Sequence, residues 1–308
     1  MPTGCAIVVH TMSEKLVVFG GGGFVGGNLC TVALRQGWEV HIADAAVRPG
    51  VPDAHWHTLD ITDAPVVRRL LAELRPAAVV DLAAVADVDR AEREQELARA
   101  VNVEAARTIA SACNASGVYF LYFSSDAVFA GTASRYREED PPQPVNYYGR
   151  TKAEGEKAVL QADPRAGIVR LSLALGFPVT AGNSFFAALE TKLKAGQEVV
   201  APSDEIRTPV DVLTLAGCVL ELVRLRYAGV IHIGSTDSID RAALTRRAAQ
   251  LMGFPDARVV AQAVTAPLPG RAARHKNGII SVDKARALLK TPLLSAEASI
   301  RRAIEERL

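Results

Sequence analysis

The sequence predicts an α/β protein: a doubly wound parallel sheet with a smaller α/β C-terminal domain. Three observations point there. Short apolar runs alternate with helical patterns over roughly 160 residues, the signature of strand–helix–strand units in a parallel sheet. A glycine-rich segment, 20–27, joins the first apolar run to the first helical pattern. Asp44, Asp60, Ala83 and Ser125 all fall at the ends of predicted strands, where open sheets of this kind bind their ligands.

Leu16-Val17-Val18-Phe19 is a continuous apolar run, as expected of a central strand buried on both faces. In the glycine segment that follows, Gly20, Gly23 and Gly26 stand three apart. Glycine lets the backbone turn tightly and approach a phosphate with no Cβ in the way. The amides opening the next helix, patterned on Leu29, Val32, Ala33 and Leu34, then face a pyrophosphate. A flexible loop is the bland alternative, and the strand before and helix after weigh against it. Gly20, Gly23, Phe24, Val25 and Gly26 are therefore the expected contacts of a Rossmann-type dinucleotide site.

Gly37 ends the helix, and 38–43 reads as the second strand, finishing at Asp44. An acidic residue about 20 positions beyond the glycines accepts hydrogen bonds from the adenosine ribose and repels a 2′-phosphate. Asp44 thus favours NAD, while Arg48 close behind keeps NADP open. The stretch 57–63 reads as a third strand running into a helix cap, with Asp60 and Ile61 beside the adenine. A helix over 65–74 and a fourth strand over 77–84 follow. Ala83, Ala84 and Val85 are small enough to lie under a cofactor, or equally to pack tightly against a helix. One or two helices fill 89–117 and contain Asn102, a cofactor-side candidate because a buried mid-helix amide has a hydrogen-bonding task. The fifth strand, 118–123, ends in Ser124-Ser125-Asp126, and a sixth lies at 168–171.

The first domain accordingly spans 13–170, joined by a strand at 229–234. Segments 171–228 and 235–308 form the smaller, substrate-binding domain. It holds helices at 184–194, 209–225 and 241–252, a short strand at 198–201, and a basic stretch with Arg271, Arg274, His275 and Lys276. Arg207 and that stretch are candidates for holding an anionic substrate group, against a background expectation of ordinary surface charge.

Composition narrows the function. With 35 basic and 34 acidic residues the net charge is +1, which argues against nucleic acid or an anionic membrane as the main partner. The four cysteines form no Cys-x-x-Cys pair and read as reduced thiols of a cytoplasmic protein, with no disulfide framework and no metal site. Residues 1–12 are a tail with no assigned function. Their apolar run, 5–9, follows no basic region and is too short to span a bilayer.

The chemistry lies in Asn146-Tyr147-Tyr148-Gly149-Arg150-Thr151-Lys152. On a helix, Tyr148 and Lys152 stand one turn apart on one face, and an adjacent ammonium favours the phenolate and lowers the tyrosine pKa. A solvated tyrosine and lysine is the alternative for an isolated pair.

The glycine loop, the Ser124-Ser125-Asp126-Ala127-Val128-Phe129 segment and Tyr148/Lys152, in that order, resemble the extended short-chain dehydrogenase/reductase family. Within it the likeness is to the dTDP-4-dehydrorhamnose reductase branch, part of the wider epimerase–dehydratase group. Ala127 stands where dehydratases of the family carry glutamate, and Phe19 where relatives commonly carry threonine. Arg207-Thr208-Pro209-Val210-Asp211 resembles a substrate-side segment, and the C-terminal half is short beside typical nucleotide-sugar epimerases. The resemblance implies that Tyr148 exchanges a proton with a carbonyl/alcohol pair while nicotinamide carries the hydride. Lys152 would tune Tyr148 and bind the nicotinamide ribose, Ser125 (or, second choice, Ser124) would donate to the oxyanion, and Asp126 and Arg207 would face the substrate. A reductase acting on a small-molecule carbonyl or sugar is the leading expectation. An epimerase using the same residues and a non-catalytic cofactor-sensing subunit are the alternatives. Homodimers are common among such relatives, and nothing in the sequence decides the assembly.

Overall fold

The computed structural model describes residues 14–180, 182, 184–263 and 271–308, so the expected tail 1–12, with Cys5, lies outside the described residues. Seven parallel strands form the central sheet: β1 Lys15–Phe19, β2 Glu39–Asp44, β3 His55–Thr58, β4 Ala78–Asp81, β5 Tyr119–Ser125, β6 Gly167–Leu171 and, far along the chain, Gly229–Ile233. Counting that last strand as β7, the spatial order is β7-β6-β5-β4-β1-β2-β3. The order reverses between β1 and β4, and there the strand ends open a crevice. The sequence expectation of a doubly wound sheet holds, including the late strand, which pairs with β6 along its whole length.

Helices cover both faces. Helix α1 (Phe24–Arg35) packs with Val212–Leu225 over Leu16, Val18, Val40, Ile42 and Val80. On the other face, α2 (Ala64–Leu74) and a helix at Ala106–Ser116 bury Val17, Phe19, Val79, Phe120 and Tyr122. Alternate residues of β1 thus serve opposite cores, as the period-2 geometry of a strand requires. The three described cysteines, Cys30, Cys113 and Cys218, are free and buried. Among the described residues no helix is long and apolar enough to cross a membrane.

Three expectations shift. The third strand begins at His55 and stops at Thr58, leaving Asp60 in the following turn, where its carboxylate binds Thr62 N and Oγ1 at 2.8 and 2.7 Å. The 89–117 region is two short helices, Val88–Arg93 and Gln95–Arg99, a π-helical turn Ala100–Ala105, and then Ala106–Ser116. The helix expected from 209 starts at Val212, because Pro209–Asp211 pairs as a strand with Leu173–Leu175 and Asp211 caps the helix by accepting from Thr214 N at 2.8 Å. Beyond the sheet, Phe186, Leu189, Leu244 and Ile300 form a separate apolar cluster.

Candidate active site

Two adjoining hollows of about 580 and 590 Å³ run along the crevice, sharing Gly20, Gly23, Leu82, Ala84, Val85 and Arg90. Each falls in the range of small-molecule sites. Ala43, Asp44, Arg48, Asp60, Ile61 and Ala83 line the first; Phe24, Val25, Gly26, Ser124, Tyr148 and Lys152 line the second.

The floor is built from glycine because nothing larger fits. Gly20 has φ +73°, and a Cβ on Gly26 would lie 2.3 Å from the Gly20 carbonyl oxygen. Asp44 holds the loop from the side, accepting from Gly22 N at 3.0 Å and Ala45 N at 2.8 Å. Thr180 ties it from above by donating to Gly22 O at 2.9 Å. Nothing in the sequence linked Thr180 to this loop.

At the other end, Asn146 caps the helix Tyr147–Ala162, its Oδ1 accepting from Gly149 N at 2.8 Å, and so fixes where Tyr148 and Lys152 emerge. Tyr148 is half-buried, and burial pushes its pKa up to about 12. The Ser125 hydroxyl, hydrogen-bonded to Tyr148, works in the opposite direction, and the Asp126 carboxylate raises the value further. The sequence expectation that Lys152 sets the phenol low is not met. Burial holds Lys152 itself below the ordinary lysine value, and its charge is balanced by Asp81 and Glu156. Its ammonium rests 4.2 Å from the centre of the Tyr122 ring. Asp81, buried at the end of β4, is in turn held above the usual carboxylate range by desolvation, with Lys152 opposing.

Ser124 and Ser125 separate cleanly. Ser124 donates to Glu156, which also receives Arg170 Nε at 2.8 Å and Nη2 at 2.7 Å in a buried two-pronged pair. Ser125 Oγ lies 3.1 Å from both Asp126 Oδ1 and Ala127 N, and reaches Tyr148.

Four expected contacts line neither hollow: Ser125, which reaches the site through Tyr148, and Asn102, Asp126 and Arg207. Asn102 is fully buried; its side chain binds Val85 N at 2.9 Å and Thr151 Oγ1 at 2.9 Å, and its main-chain carbonyl receives the Tyr122 hydroxyl at 2.9 Å. It braces Val85 and the residue before Lys152 instead of lining the hollow. Asp126 is buried among Ser172 Oγ at 2.9 Å, His275 Nε2 at 3.1 Å and Arg207 Nε at 3.6 Å, which together hold its carboxyl below the usual range although burial alone would raise it. Arg207 is also buried, its other nitrogens donating to the carbonyls of Ile206, Lys276 and His275. Arg274 pairs with Asp89 and Lys276 with Asp204 at 3.0 and 2.9 Å. These charges are spent within the protein, and sequence offers no signal of that because the partners come from distant segments. Glu156–Arg170, Asp81 and Arg90 are the site-side residues that the sequence reading missed.

The family model described as RmlD substrate binding domain matches residues 14–308. The chain is similar to dTDP-4-dehydrorhamnose reductase of Streptomyces griseus, 40% identical over 209 residues that cover 65% of this chain and 67% of that protein. It is 30% identical to the dTDP-4-dehydrorhamnose reductase of Salmonella typhimurium over 285 residues, 88% of this chain and 94% of that one. The 2.65 Å crystal structure of dTDP-4-dehydrorhamnose reductase from Bacillus anthracis in complex with NADP matches with a TM-score of 0.85 at 26% identity, covering 96% of this chain and 100% of that one. The C-terminal half, short beside epimerases, is thus of a length with these reductases. A glycine-floored crevice ending at a serine, a tyrosine and a lysine, and a match along the entire described chain, agree on one conclusion: the protein belongs to the RmlD substrate binding domain family.

Proposed function

We propose that this NAD(P)-dependent oxidoreductase of the extended short-chain type reduces the 4-keto group of a nucleotide-linked deoxysugar such as dTDP-4-dehydrorhamnose. The residues present fit a dinucleotide: Gly20 and Gly26 permit a tight loop that a Cβ at either would break against Ala83 or the Gly20 carbonyl, and Asp44 stands over the first hollow beside Arg48. Gly20, Gly23, Phe24, Val25 and Gly26 would hold the pyrophosphate, Asp44 the adenosine ribose, and Asp60, Ile61, Ala83, Ala84 and Val85 the walls. When bound, nicotinamide supplies a hydride to the substrate carbonyl. Tyr148 gives its phenolic proton to the oxygen that becomes the alcohol, Ser125 donates a hydrogen bond to the same oxygen as charge develops, and Lys152 holds the nicotinamide ribose. Segments 171–228 and 235–308 would close over the sugar.

The observation that carries the reading is a grouping: Tyr148 and Lys152 line the same hollow as Gly20, Gly23 and Gly26, and the Ser125 hydroxyl is hydrogen-bonded to Tyr148. A phenol is protonated at neutral pH and can serve there as the acid that carbonyl reduction needs. The test is to incubate the purified chain with dTDP-4-dehydrorhamnose and NADPH or NADH, following both sugar and cofactor. Oxidation of cofactor matched mole for mole by reduced sugar is the expected result. Sugar isomerised with no net cofactor change would make the protein an epimerase. Cofactor binding without turnover of any keto-sugar would make it a sensor.

A further inference from the structure

At the sheet edge, on the two strands whose C-terminal residues Asp44 and Thr58 line the first hollow, β2 and β3 bring together a group of side chains that the reductase chemistry does not use. Glu39 and His41 are two apart on β2 and so share a face; His55 and His57 do the same on β3, and the register sets His41 directly across from His55. Facing side chains on neighbouring parallel strands stand about 4.8 Å apart, and here the His41 and His55 rings stack with centroids 4.8 Å apart. The donor atoms of Glu39, His41 and His55 all lie within 4.8 Å of one another. His41 Nε2 is already 3.0 Å from Glu39 Oε1, near the spacing of roughly 3.3 Å between ligand atoms around a tetrahedral zinc ion.

We propose that Glu39, His41 and His55 form a binding site for a divalent first-row transition-metal ion of the Zn²⁺, Co²⁺ or Ni²⁺ type. Two imidazoles and one carboxylate are a donor set that such ions favour over Mg²⁺ or Ca²⁺, which prefer oxygen ligands. The second shell is present. His41 Nδ1 lies 3.0 Å from His57 Nε2, so His57 can accept the Nδ1 proton and leave Nε2 of His41 free to ligate, the arrangement that orients metal-bound histidine. His41 is buried, whereas His55 is exposed and has room to turn and close the set. One competitor faces the group: Lys15 Nζ is 3.9 Å from Glu39 Oε1. At about one third exposure that ammonium can swing into water when an ion takes the carboxylate. Three protein ligands leave a fourth position for water or for a side chain of another molecule. An ion here would tie the sheet's edge strand to its neighbour.

The test uses the full chain freed of metal and titrated with Co²⁺, whose visible absorption reports tetrahedral nitrogen–oxygen ligation, followed by displacement with Zn²⁺. The expected result is one equivalent bound, a melting temperature that rises with metal concentration, and at least about tenfold weaker binding in His55→Gln and in Glu39→Gln. His57→Ala should weaken binding by about 10- to 100-fold, as outer partners of metal ligands do. His55 is exposed, so its variant folds whatever the role of the site, and unchanged NADPH binding by that variant checks this. Metal binding unaffected by His55→Gln, or no saturable binding below ~1 mM, a free energy of about −4 kcal/mol, would overturn the proposal.

Discussion

The two ends of the crevice handle their polar groups in opposite ways. At the first hollow glycines, alanines and Val85 form much of the wall, the charges of Arg48, Asp60 and Arg90 stay exposed, and Asp44 rests on loop amides at the rim. On the substrate side the conspicuous charges, Asp126, Arg207 and His275, are buried in one another. The contrast teaches that small residues mark where a ligand can go, while charged residues near a site are as often the framework that positions it. Buried ions cost several kcal/mol each unless paired, so a protein that needs the shape must spend the charges.

The comparison is tested most severely at the reactive end. Tyr148→Phe should lower the reductive kcat by about 10²- to 10⁴-fold, the usual worth of a positioned acid, with cofactor affinity unchanged by titration. A small loss would remove Tyr148 from the chemistry. Arg207→Met should cost ~3–5 kcal/mol in urea unfolding, because it leaves Asp126 buried with fewer partners. If instead stability were retained and the substrate KM rose, Arg207 would be a ligand for the sugar nucleotide and the contrast between the two ends would fail. Asp44→Asn should move the NADPH-to-NADH affinity ratio toward NADPH by about tenfold, ~1.4 kcal/mol, since a carboxylate no longer faces the 2′-phosphate. An unchanged ratio would assign the ribose to Arg48 instead. The smallest effect is a pH dependence. Asp126 is held below the ordinary carboxylate value of about 4, so its stabilisation is present above that pH and is lost as pH falls toward the folded-state value. The stability gap between the wild type and Asp126→Asn, followed by urea midpoint, should therefore close under acid and stay open at neutral pH.

What the sequence made legible was what local geometry alone encodes. A Cβ on Gly26 would collide with Gly20 inside the loop and one on Gly20 with the Leu82–Ala83 backbone, and Tyr148 and Lys152 need only a helix to share a face. The strands of the parallel sheet followed from apolar runs of the right length. The reading faltered where a residue's role depends on a partner far along the chain. Asp126 meets Ser172 across 46 positions, and Arg207 meets His275 across 68; no periodicity announces either. Helical spacing puts Lys152 beside Tyr148 but carries no sign of Asp81, its electrostatic counterweight, which comes from a strand 71 positions earlier (152 − 81). Pro209-Val210-Asp211 belongs to a strand and not to the helix expected from 209, because its pairing partner, Leu173–Leu175, lies far back in the chain and Asp211 caps the helix three residues later. The histidines of β2 and β3 went unnoticed for the same reason as Asp126: their meeting is a matter of strand register.

The π-helical turn has one more consequence, and it concerns how the chain reaches this structure. Asn102, inside that turn, completes its side-chain bonds with residues 17 positions before it and 49 positions after it. Contacts across such separations form only after the entropy of closing the intervening chain has been met. A collapsed form with β4 or the Tyr148 helix out of place would bury the Asn102 amide unsatisfied, at a cost of about 1–3 kcal/mol. Burying Asn102 therefore penalises compact arrangements in which the strand and the helix that frame the crevice have not met.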